Sequence, residues 1–164
     1  MDQLVGLIDH IDKTRGTIVS DPKEADAFAW AAIKPGEKLT QIGFKHPVLP
    51  DDGVKIKITY TGVCQSDCSI LSNKYGDIFP SVWPCVCGHE IVGKVLQSGK
   101  DVKGLKEGDV VGIGPSRYCC NNCSNCKVGN TNLCLAPAWK FTAGSYFGGF
   151  ATGKYNQNHL YLIT

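Results

Sequence analysis

Apolar and polar residues alternate strictly through residues 54–60, Val-Lys-Ile-Lys-Ile-Thr-Tyr, which predicts a half-buried strand. Shorter apolar runs at residues 39–44, 91–96, 110–113, 150–155 and 160–163 predict further strands. Turn chemistry separates them: Lys34-Pro35-Gly36, Asp51-Asp52-Gly53, Ser98-Gly99 and the stretch 105–109. Residues 77–84, rich in proline and aromatics, read as loop. Short strands divided by Gly and Pro turns imply a mainly β fold, a barrel or a sandwich, with short helices at most. Residues 1–26 read differently. Leu4, Val5, Leu7, Ile8 and Ile11 have the spacing of a short amphipathic helix, and Asp21-Pro22-Lys23 breaks it. This part carries no recognisable chemistry and is expected to be an N-terminal extension, with the folded domain running from 27 to 164.

Composition narrows the class. At 164 residues the chain fits one domain and can bury a sizeable core. Its 43% hydrophobic and 20% charged residues fit a globular protein and not a disordered one. A formal charge of +2 with scattered Lys and Arg argues against a nucleic-acid surface. No run of about 18 apolar residues is present, so no membrane span is expected. The first residues carry two acids before their first base, which is unlike a signal peptide.

Nine cysteines are the anomaly. An odd number leaves one over in any complete disulfide framework. Without a secretory signal, clustered thiols are expected to bind metal in a cytoplasmic protein. Cys120, Cys123, Cys126 and Cys134 form C-x2-C-x2-C-x7-C, in a polar stretch with no strand pattern (a lobe over 119–134). Four thiolates at such short steps suit a closed, tetrahedral structural zinc site. A disulfide knot or idle thiols are the alternatives. Cys119 stands outside the pattern. Two other stretches hold candidate ligands: Gly-Val-Cys64-Gln65-Ser66-Asp67, after one predicted strand, and Gly-His89-Glu90, before the next.

In order, Phe28-Ala-Trp-Ala-Ala, G-V-C-Q-S-D, Trp83-Pro-x-x-x-Gly-His-Glu, the four-cysteine lobe and Tyr146-Phe-Gly-Gly-Phe150 resemble the zinc-dependent medium-chain alcohol dehydrogenases. The cinnamyl alcohol dehydrogenase-like branch is the nearest in pattern, over about residues 27–164. The resemblance implies a GroES-like, partly open β-barrel with a zinc-binding lobe. It also implies an NADP-dependent oxidation of primary alcohols or reduction of aldehydes. Cys64 and His89 match catalytic zinc ligands, and Glu90 a carboxylate that exchanges onto that metal. Ser66 matches a hydroxyl that passes the alcohol proton outward. Asp67 matches an acid that orients the His ligand, and Gln65 stands at a position that contacts the cofactor. Cys120, Cys123, Cys126 and Cys134 match the structural zinc ligands.

The chemistry asks for a metal on physical grounds. An alcohol loses its proton near the pKa of water, about 15.7. A histidine base titrates near 6.5, so the gap of ~9 units costs ~12 kcal/mol. A Lewis-acid zinc closes such a gap, and a nicotinamide takes the hydride.

The pattern departs from the family in several places. The family's third catalytic zinc ligand, a Cys, would lie beyond Thr164, and no G-x-G-x-x-G after a strand marks a dinucleotide-binding unit. Cys87 replaces a Pro two before the zinc His, Ser69 replaces an outer-relay His, and Gln65 replaces a basic residue. The chain alone is therefore expected not to catalyse hydride transfer. It is also expected to expose an apolar face suited to a partner chain, a missing half or a second copy. Cys87 or Cys68 could supply the missing thiolate, since on an extended chain Cys87 points to the side of His89. The favoured alternative is that both pack as small hydrophobes. Trp83, Phe79 and Tyr75 could line an aromatic-sized pocket or simply pack. A non-catalytic zinc-binding interaction module is the competing function. A zinc-ribbon nucleic-acid binder is disfavoured, because the lobe lacks two C-x2-C knuckles around a long loop.

Overall fold

In a strand with alternating burial, one face must find a partner layer, and this requirement organises the whole chain. The computed structural model describes residues 16–77, 81–116, 119–135, 147–153 and 159–163. Its strands are β1 (Thr17–Val19), β2 (Ala27–Ala31), β3 (Thr40–Lys45), β4 (Gly53–Thr61), β5 (Ile91–Ser98), β6 (Val110–Ile113), β7 (Ala151–Gly153) and β8 (His159–Ile163). They form two open four-stranded sheets, ordered β1-β3-β2-β7 and β6-β5-β4-β8. Every strand pair is antiparallel. Among the described residues the architecture is mainly β, with open sheets and no closed barrel.

The central strand of the second sheet is β4. Val54, Ile56 and Ile58 are buried, while Lys57 and Thr59 point to solvent. They pack with Ile91, Val95 and Ile113 from β5 and β6. Fully burying such side chains stabilises the fold by about 1.5–3 kcal/mol each. In the first sheet, Ala27, Ala29 and Ala31 of β2 form a flat inner stripe. Phe44, the cross-strand neighbour of Ala27, packs with this stripe together with Val86 and Phe147, with Phe44 and Phe147 edge to face at 4.7 Å between ring centroids. Small residues on the strand leave room for large ones packed against it.

Among the described residues, two helices break the β pattern. The seven-residue α1 (Gln65–Leu71) follows β4, and the single-turn α2 (Ser124–Lys127) lies in the cysteine lobe, followed by a 3₁₀ turn at Thr131–Leu133. The segment before β5 ties the sheets together. Ala32 and Cys85 exchange backbone hydrogen bonds, and Gly148 N–H donates to Val86 C=O.

The strand Thr17–Val19 lies inside the stretch 1–26 that the sequence suggests is an extension. It pairs with Gly43–Lys45, so these residues are part of the first sheet. Three exposed or half-exposed residues have no legible pattern of their own, and the edge of β3 supplies the pairing. The helix expected over residues 4–11 lies outside the described residues. No helix among the described residues is long and apolar enough to cross a membrane.

Candidate metal centres

Cys64 sits where β4 has ended and α1 begins. As the N-cap of α1, it accepts the backbone N–H of Ser66 on Sγ at 3.4 Å. Asp67, at the third helical position, returns the favour: its Oδ2 accepts the Cys64 N–H at 3.0 Å. This is a capping box, with Cys and Asp in the places usually taken by Ser or Thr and Glu. It fixes the direction of the Cys64 thiol.

Asp67 is 2% exposed and reaches across to the segment before β5. Its Oδ1 accepts the Gly88 N–H at 3.0 Å and lies 3.1 Å from His89 Nδ1. A carboxylate is an acceptor, so Nδ1 carries the proton and the lone pair of the ring is on Nε2. That lone pair faces Cys64 Sγ at 3.3 Å. Glu90 Oε1 lies 3.9 Å from the same Nε2. Cys64, His89 and Glu90 thus gather one thiol, one imidazole and one carboxylate, all within 4.8 Å of one another. A metal with bonds of about 2.0–2.3 Å to S, N and O would be spanned by such a trio. Ser66 is half-buried in the first turn of α1, and Gln65 beside it is exposed.

The lobe builds a second group. Cys120, Cys123, Cys126 and Cys134 also converge within 4.8 Å. The Sγ of Cys120 lies 4.0 Å from that of Cys126 and 3.6 Å from that of Cys134. Tetrahedral zinc with bonds of about 2.3 Å requires sulfurs ~3.8 Å apart, so these thiols have the spacing zinc needs. Backbone amides point at the sulfurs: Cys120 N–H donates to Cys134 Sγ and Cys123 N–H to Cys120 Sγ, each at 3.3 Å. Left-handed backbone at Asn121 and Gly129 folds the chain tightly around the group. The Leu135 N–H, then that of Cys126, hold the Cys123 thiol down at about 6. Desolvation and the neighbouring thiol of Cys123 push Cys126 up to about 12. Cys119 lies outside the four and donates to Asn121 Oδ1 at 3.1 Å.

The extra thiols near the first group do not join it. Cys87 is fully buried and packs with Cys85, Ile70, Trp83 and Phe150, and its Sγ donates to Asp67 C=O at 3.7 Å. The neighbouring Cys85 thiol and burial push Cys87 strongly upward, which keeps it protonated. The alternation expected to bring Cys87 to the side of His89 fails at Gly88, whose φ of 94° turns the backbone between them. Cys68 is exposed on α1 and is likewise absent from the trio. Trp83 packs on this thiol cluster, Tyr75 is 39% exposed, and Phe79 lies outside the described residues.

Sequence reasoning assigns no helix and no capping role to residues 64–67. The C-x-x-D spacing is the signal that would have shown both. It also assigns nothing to Gly62, whose N–H donates to Glu90 C=O at 2.7 Å.

Comparison with known proteins bears on the fold and the family. The family model described as "Alcohol dehydrogenase GroES-like domain" matches residues 50–160. A protein of Oryza sativa subsp. japonica named "Probable cinnamyl alcohol dehydrogenase 8D" is 37% identical over 127 residues, covering 77% of this chain and 34% of that one. The cinnamyl alcohol dehydrogenase structure from Sorghum bicolor superposes with a TM-score of 0.70 at 29% identity, over 84% of this chain and 38% of that one. The CAD from Helicobacter pylori, complexed with NADP(H), gives 0.68 at 26% identity, over 85% of this chain and 40% of that one. The chain spans about a third of the length of the curated relatives it matches. Two open sheets, the ordered cysteine groups and the match over residues 50–160 together place the chain in the alcohol dehydrogenase GroES-like domain family.

Proposed function

We propose that this chain is the zinc-holding, substrate-facing portion of an NADP(H)-dependent alcohol dehydrogenase that interconverts primary alcohols and aldehydes. The observation that carries the reading is the 3.3 Å approach of Cys64 Sγ to His89 Nε2, with Asp67 behind the ring. Cys64, His89 and Glu90 would hold a catalytic zinc, and Cys120, Cys123, Cys126 and Cys134 a structural one. The catalytic ion supplies Lewis acidity toward an alcohol or carbonyl oxygen when bound. The four-sulfur site leaves no open position, so its contribution is to staple the lobe.

The chain's own residues do the rest. Asp67 holds the proton on His89 Nδ1 and keeps Nε2 free to ligate. Ser66 Oγ, half-exposed at the first turn of α1, takes the substrate's hydroxyl proton and hands it outward, since a hydroxyl both accepts and donates. Gln65, exposed beside it, would contact the cofactor. Hydride transfer needs a nucleotide-binding unit, and the sequence contains no G-x-G-x-x-G to supply one. Such a unit, as a partner chain or further domain, would dock near the open groove of about 550 Å³ lined by Tyr60, Val92, Gly112 and Glu90. The thiol-rich composition suits the reducing cytoplasm.

The test has two parts. Metal analysis of the purified chain should find two zinc ions, falling to one in Cys64→Ser. Reconstitution with the nucleotide-binding half of a relative should give NADP-dependent oxidation of a primary alcohol, with none from the chain alone. Two zinc ions without activity in any reconstituted form would favour the zinc-binding interaction module. Unchanged metal content in Cys64→Ser would overturn the catalytic-zinc reading and leave the module, which needs only the four-cysteine site.

A further inference from the structure

Gly62 and Glu90 face each other on the rung that follows the Thr61–Ile91 pair of β4 and β5. Opposed side chains on such a rung normally keep their Cβ atoms about 4.5–5.5 Å apart. Here they could not. A methyl group on Gly62 would lie 2.9 Å from Glu90 Cβ and 3.1 Å from Cδ, and closer still to Oε2. The Glu90 side chain therefore lies across the bare α-carbon of Gly62. One oxygen rests over the glycine, and the other points to His89 Nε2 at 3.9 Å. Gly62 does not have the positive φ that would demand glycine for backbone reasons. Space is the reason a side chain is excluded.

We propose that Gly62 is a positioning residue for the Glu90 carboxylate. Its missing side chain lets Glu90 fold inward to join Cys64 and His89 as a metal ligand. A Cβ there drives the Glu90 carboxylate out toward the solvent that already reaches it, and, because side-chain rotation does not move Glu90 Cβ, it also pushes the two strand ends apart. The inference rests on the reading of Cys64, His89 and Glu90 as a metal site. It adds that the carboxylate's access to the metal is set by a residue that has no side chain to offer as a ligand.

Cobalt(II) titration of the metal-free 164-residue chain tests this, followed by visible absorption. A four-sulfur site and a mixed sulfur, nitrogen and oxygen site give different spectra. The wild-type chain should bind two equivalents. Gly62→Ala should weaken the mixed site about 10–100-fold and change its spectrum, leaving the four-sulfur band intact. Glu90→Gln should do the same, and the double variant should be no weaker than either single one. Wild-type affinity and spectrum in Gly62→Ala, or losses that add in the double variant, would overturn the proposal while leaving the metal site standing. Failure of the wild-type chain to bind a second equivalent would overturn the site and the proposal together. Should Gly62→Ala not fold, Gly62→Ala/Glu90→Gly provides the check. Restored folding supports a collision between these two side chains, and continued unfolding refutes it.

Discussion

Asp67 Oδ1 lies 3.1 Å from His89 Nδ1, while the other oxygen of the same carboxylate accepts the Cys64 N–H at 3.0 Å. One buried side chain thus fixes two candidate ligands that are 25 residues apart in sequence. Asp67→Asn keeps the shape but replaces one acceptor oxygen with an NH₂ donor. We expect metal affinity at Cys64 and His89 to fall about 10–100-fold, with the four-cysteine lobe unaffected. Competition with a chromophoric chelator measures both sites in one titration. Asp67→Ala should also unfold the chain more readily. It leaves the Gly88 and Cys64 N–H groups without acceptors, each costing about 1–3 kcal/mol.

The lobe's thiols should separate by pH. In metal-free protein Cys123, held near 6, is largely thiolate at pH 7, whereas Cys126, near 12, is protonated. Iodoacetamide attacks the thiolate. Cys123 should therefore be alkylated first at pH 7, with a rate that falls as pH drops through about 6. Zinc retention should weaken across the same interval, because protons compete for the ligand. Peptide mass mapping across pH 5–9 reads out the order. A Cys123 midpoint near the ordinary thiol value of about 8.5 would contradict it.

Ile56 is fully buried at the centre of β4. Ile56→Ala should destabilise the chain by about 2–5 kcal/mol, as lost burial plus an unfilled cavity. Urea unfolding should show a lower midpoint with an unchanged slope. Lys57→Ala, one residue along on the solvent side, should shift stability by less than about 0.5 kcal/mol.

Gly88 has φ of 94°, and a Cβ there would lie 2.7 Å from the Gly149 nitrogen. Gly88→Ala should destabilise by more than about 1 kcal/mol. It should also move His89, since the Gly88 N–H is tied to Asp67. A melting curve and a cobalt spectrum, measured on the same sample, should both change.

Alternation made β4 legible, because Val54, Ile56 and Ile58 meet a buried face at every second residue. β5 and β6 were legible as short apolar runs bounded by turn residues. The two edges of readability are instructive. The helix α1 has seven residues and buries Asp67 and Ser69, so no apolar stripe announces it. The strand β1 buries no residue fully and exists through its pairing with β3. At the site, the ligand residue types and their order pointed to metal, but the three-dimensional trio depends on tertiary contacts. The one stereochemical extrapolation, Cys87 beside His89, failed because a single glycine interrupts the extended backbone.

Both sheets are completed by late strands. Ala27 pairs with Gly153, and Lys57 pairs with His159, so each pairing joins residues more than a hundred positions apart. Closing loops of that size is entropically costly and slows the search for the native topology. During synthesis, β2 and β4 therefore emerge from the ribosome long before β7 and β8. Until those arrive, each has one bare hydrogen-bonding edge beside an incomplete apolar layer. Nascent chains of this topology are exposed to edge-to-edge association in that interval.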